Sequence, residues 1–205
     1  MSEDEIIEAA GCTIIYRSSD WGPAVPYRSE HRPETPDRPN RGFIDLRDRS
    51  DAGDAVYEAA DVPGLRALIT AVNAAGSQYM SLGCERKLNS LEPPQGEATC
   101  YLNSYIEVAA RDPLQQHEAA MLALARELAR RAHLELHDWV QLELGIERLK
   151  HFFGREGGHC LHIAVSGFGR NAEEALLTHT RAGERLANAF ACLTAENAAS
   201  RTGEA

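Results

Sequence analysis

The order of elements along this chain predicts an α+β fold: an antiparallel sheet with helices on one face, on a ferredoxin-like plan extended by a strand and a helix. Three observations point there. The β-prone runs SQYMSLGCERKL (from Ser77) and TCYLNSYIEVAA (from Thr99) flank a polar, proline-containing reversal and read as a hairpin. A second pair of strands, with a glycine-rich reversal, lies between His137 and Gly169. Each pair is followed by an amphipathic run that opens on a capping residue.

Taken in order, CTIIYR from Cys12 is a short β-prone run. Pro23, Pro26, Pro33, Pro36 and Pro39 then remove ladder donors and bias their neighbours to extended geometry, which predicts an irregular arm. On it, Trp21 and Tyr27 are the candidate anchors for a partner. GFIDLR, 42–47, reads as a strand. A helix is expected over 62–75, with Asp61 as cap, Pro63 in the first turn, and Leu65, Leu68, Ile69 and Val72 at helical spacing. After the first hairpin, Asp112-Pro113 opens a helix with Leu114, Met121, Leu124, Leu128 and Ala132 inward. After the second, Asn171 caps a helix that runs to Leu193.

These elements give the succession β-α-β-β-α-β-β-α. They also contain an internal match: Leu82–Arg86 and Leu144–Arg148 share L-G-x-E-R, and each is followed by a reversal, a strand and a capped helix. An internal duplication of a hairpin-plus-helix unit would explain that. The domain organisation expected is an N-terminal strand and Pro/Arg-rich arm over 1–50, one α+β domain over 51–195, and a fraying tail over 196–205.

Composition narrows the function classes. With 205 residues, 43% hydrophobic and 25% charged, the chain can bury one good core. A net charge of −10 opposes attraction to phosphate backbones, so nucleic acid is not an expected partner. No apolar run approaches the roughly 18 residues of a membrane span, so no membrane partner is expected. Five scattered cysteines without a CxxC pair read as reduced thiols, and the acidic N-terminus carries no export signal, which places the protein in the cytoplasm. Nineteen arginines against two lysines, with abundant alanine, suggest coding from a GC-rich bacterial genome.

Chemistry is sought first around the second hairpin, where Arg148, His151, Arg155, His159, His162 and Arg170 are the candidate ligand-binding residues. Zinc-type sites use convergent imidazole or thiolate, so His151, Cys160 and His162 are the metal candidates. Alternation along a strand puts Cys160 and His162 on one face and His159 on the other, so only a subset can converge. The Gly167-Phe168-Gly169 bend before a helix offers an anion site, although it lacks the spacing of a phosphate loop. Carboxylate pairs such as Glu143 with Glu147, or Glu85 with Glu107, fall on strands where outward charges are ordinary and read as solvated.

No residue stands in a nucleophile-elbow or papain-like context, so no catalytic residue is assigned and no cofactor is named. The function expected first is protein–protein binding, as an adaptor, inhibitor or immunity-type factor whose acidity suits a basic partner. A small-molecule, anion or metal-binding protein using the 148–170 hairpin is the second expectation, and a self-assembling subunit the third.

Overall fold

The computed structural model describes residues 6–9, 12–17, 22–28, 42–132 and 139–202. Its strands are β1 (Ile6–Ala9), β2 (Cys12–Arg17), β3 (Ala24–Val25), β4 (Tyr79–Gln95), β5 (Ala98–Ala110), β6 (Val140–Arg148), β7 (His151–Phe152), β8 (Arg155–Glu156) and β9 (His159–Gly169). The helices are α1 (Pro63–Asn73), α2 (Glu118–Ala132) and α3 (Ala172–Thr202). The main sheet has the order β1-β2-β6-β9-β5-β4, antiparallel except where β2 runs parallel to β6. A small sheet, β3-β7-β8, is separate.

The α+β architecture expected is the one observed, with all three helices on one sheet face. The second strands of the two hairpins, β5 and β9, pair at the centre, and β4 and β6 flank them. The strand that opens the succession is β2, however, and 42–47 is not a strand. There the Asp45 carboxylate accepts from the Arg47 N–H (3.2 Å), a local side-chain bond that competes with a ladder. Leu46 still reaches the main core.

Other departures are equally local. β4 continues through 89–94 instead of reversing there; as the sheet's edge it tolerates Pro93 and Pro94, and the chain turns at Gly96, whose φ is +60°. Asp61 does not cap α1 but pairs with Arg86 (3.1 Å). Asp112 caps only a short 3-10 turn, Pro113–Gln115, so Leu114 points outward at 75% exposure while Met121, Leu124, Leu128 and Ala132 are buried. Past Leu193, α3 continues to Thr202, and Glu196 pairs with Arg131 of α2 (2.7 Å).

The helices pack closely because small residues line the contacts. A Cβ on Gly183 would sit 2.6 Å from Gly64, so α1 and α3 cross backbone to backbone. Beneath α3, Ser104 of β5 hydrogen-bonds His179 Nε2 at 2.7 Å, and Nδ1 of this buried ring has no partner. Burial holds the His179 pKa down from 6.5 to about 4. A group whose folded pKa is depressed withdraws stability as pH falls through that window: the unfolded chain takes up a proton that the folded chain refuses. At pH 5 the loss is about 2 kcal/mol relative to pH 7.5. Urea unfolding of wild type and His179→Asn at the two pH values should show that difference between them.

A second, smaller cluster lies on the sheet face away from the helices: Val25, Met80, Leu82, Ala109, Leu149, Phe152 and Cys160. It forms because β3 and β7 fold over one end of that face, held by Lys150 N donating to Pro23 O (3.1 Å) and Phe153 N to Val25 O (2.7 Å).

Candidate metal centre

At the margin of that second cluster, three side chains converge. Glu107 of β5, Glu147 of β6 and His162 of β9 each offer a ligand atom, and these atoms lie within 4.8 Å of one another. Strand pairing explains the convergence. Gly145, His162, Glu107 and Gly83 are successive partners across β6, β9, β5 and β4, so their side chains share one face and one row. Glu147 lies two residues from Gly145 on the same face, opposite Cys160. Its Oε1 is 3.9 Å from His162 Nδ1, longer than a hydrogen bond. Two donors each about 2.1 Å from one ion lie roughly 3.0 to 4.2 Å apart, so the Glu147–His162 pair suits a shared transition metal, and the other pairs, within 4.8 Å, come into range by side-chain rotation.

The surroundings are dry on one side. Glu147 is buried, with only 10% of its side chain exposed, and His162 is nearly as enclosed. Burial, and then the nearby charge of Glu147, push the Glu107 carboxyl up from 4.5 to about 7. The Tyr105 ring stacks on the His162 imidazole (4.6 Å between centroids, 27° between planes) and fixes its orientation. Below, the Cys160 thiol is raised well above its ordinary value by burial and by both glutamates.

Both glycines of the L-G-x-E-R segments belong to this row. Opposite Glu107, Leu82 is the extra residue of a β-bulge between Ser81 and Gly83. A Cβ on Gly83 would lie 3.1 Å from Glu107 Oε2 and 3.2 Å from the Tyr27 hydroxyl, so the missing side chain makes room for both oxygens. Burial first and Glu107 next raise the Tyr27 phenol to about 12.

Of the residues singled out in the sequence, His162 lies in this cluster and Tyr27 beside it. Cys160 is wholly buried in the smaller core, and His151 is exposed on β7 with Nδ1 against Arg155 O (3.1 Å), so the set His151, Cys160 and His162 is not assembled. Arg148 and Arg155 are exposed, and His159 faces Arg148 across the ladder. Arg170 lies just past the far end of β9, roughly 36 Å from His159 at strand rise, so these six residues do not share a pocket. At the expected anion site the groups have internal partners. Arg170 is held by Glu174 (2.6 Å), and Asn171 Oδ1 accepts from Glu174 N–H (3.0 Å), closing the first turn of α3. Trp21 lies outside the described residues.

Glu107 and Glu147 are the members of this cluster that the sequence placed in solvent. A signal for Glu107 existed, since YIEVAA sets it among apolar residues on both strand faces, where an outward charge has no solvent to face. Glycine within both first strands was the other signal, marking close approach. Among the described residues no helix is long and apolar enough to cross a membrane. Comparison with protein-family models, curated proteins and solved structures finds no match.

Proposed function

We propose that this chain is a metal-binding protein whose ion is held by Glu107, Glu147 and His162 on the sheet face opposite the helices. The observation that carries it is the convergence of two carboxylates and an imidazole within 4.8 Å of one another, where Glu147 is buried and Glu107 half-buried. A mixed set of this kind suits zinc, manganese or iron. Three protein ligands leave a coordination position for water or substrate, as in catalytic rather than structural sites. The row extends on the same face to Ala164, Tyr105, Ser166 and Asn103, which β3 and β7 do not pair with.

The test is calorimetric titration of chelator-treated protein with Zn²⁺ and Mn²⁺. One ion should bind per chain. With the Glu107 carboxyl at about 7, binding at pH 6 should release close to one proton more than at pH 8, read as a dependence of the heat on buffer ionisation enthalpy. Absence of binding by either metal sinks the proposal.

Protein binding is the second reading. β4, a 17-residue strand at the edge of the sheet among the described residues, favours it, as does the exposed Trp139 near the stacked Tyr101 and Phe168. With the acidic charge this fits a basic protein partner, or a second copy of the chain, in a bacterial cytoplasm. The two L-G-x-E-R segments fit a duplication in which both copies kept the glycine, and only the second kept its glutamate buried as a ligand.

A further inference from the structure

The cradle over Gly83 joins two parts of the molecule that the three ligands alone do not. Glu107 comes from the centre of the sheet, and Tyr27 from the segment that crosses its outer face. We propose that Tyr27 supplies a fourth donor, a phenolate oxygen, to the ion held by Glu107, Glu147 and His162, and that this ion is ferric iron. The inference rests on the metal-binding reading and narrows it.

Placement supports the assignment. Tyr27 O accepts from Phe43 N–H at 3.0 Å, its ring meets Phe43 edge to face at 6.3 Å, and Val25 two residues earlier is buried in the smaller core. The hydroxyl is therefore delivered by an anchored segment, on the side where a Cβ at residue 83 would block it. Charge supports the choice of ion. Two carboxylates and one phenolate sum to −3, which a trivalent cation neutralises and a divalent one does not. Three oxygens with a single imidazole also form a hard set, and the buried Cys160 thiol is not among the clustered groups. On binding, the phenol O–H bond breaks, its proton passes to water and the oxygen lone pair goes to iron. The oxidation state of the metal does not change.

Ferric nitrilotriacetate added to metal-free protein is the probe. Wild type should take up one iron per chain and show a visible phenolate-to-iron charge-transfer band. Tyr27→Phe keeps the ring and its packing; it should lose the band and bind iron about 10-fold more weakly. Tyr105→Phe, whose ring stacks on His162, should keep the band. A colourless iron complex in wild type, or a band that survives in Tyr27→Phe, overturns the inference. In either case zinc binding in the calorimeter leaves the metal reading standing, whereas failure of every metal to bind removes both.

Discussion

Glu107→Gln is expected to move two measurements in opposite directions: metal affinity falls by about 100-fold or more, while the metal-free protein becomes more stable. The opposition follows from the carboxyl's environment. Its folded pKa of about 7 lies above the unfolded value of 4.5, so the folded chain resists ionising it. That penalty is absent below pH 4.5, grows as pH rises, and is complete above about 7, where it reaches about 3 kcal/mol. Glutamine carries no charge to desolvate and recovers much of it. Urea unfolding at pH 8 without metal should therefore show a gain of the order of 2 kcal/mol, and zinc titration the loss. A variant that lost affinity and stability together would mark Glu107 as a structural residue. Glu147→Gln should match the loss of affinity, because its carboxylate stands 3.9 Å from the imidazole that completes the set.

The two buried titrations also predict an unusual pH profile. Between pH 7 and 5, Glu107 returns about 2 kcal/mol as its penalty fades, and His179 withdraws about the same. Wild-type stability should stay nearly level across that interval. His179→Asn should let it rise toward pH 5, and Glu107→Gln should let it fall. The apolar setting of Glu107 is visible in the sequence, but the size of both shifts comes from burial that only tertiary packing creates.

How far the sequence could be read depended on the range of the forces involved. Hairpins and helices were legible because alternation, capping and helical periodicity act over a few residues; Asn171 with Glu174 is one such signal and it forms as expected. Leu114 was misjudged because the helix starts after His117, whose Nδ1 accepts from Ala120 N–H. The metal cluster was half legible. Alternation correctly put His162 on one face with Cys160, but the residue beside it across the ladder, Glu107, is 55 positions away and depends on β5 pairing with β9. The register between two hairpins is set by the core they share, and no local rule states it.

Gly167→Ala is expected to destabilise the protein by 3 kcal/mol or more, roughly the upper end of what overpacking causes. In the sequence, Gly167 and Gly169 read as turn residues at an anion site. In the structure both lie on β9 and pair normally with β5, so no left-handed conformation requires glycine at either. What requires it is α3. A Cβ on Gly167 would stand 2.3 Å from His179 N and 2.7 Å from Ala175 O, and one on Gly169 would stand 2.3 Å from Ala175 N. These are backbone atoms of a helix and cannot rotate aside, so the added methyl must lift α3 from the sheet. Lifting it would open the packing around Phe190 and Leu186 and weaken the Ser104–His179 hydrogen bond. Chemical denaturation at pH 7.5 measures the loss. Gly96→Ala is the contrast: a Cβ there meets nothing within 4 Å, so only its φ of +60° is penalised, by about 1 kcal/mol. If Gly167→Ala were as mild as Gly96→Ala, α3 would be loosely seated. The buried histidine beneath it could then reach solvent, and its depressed pKa and the level pH profile would disappear with the close contact.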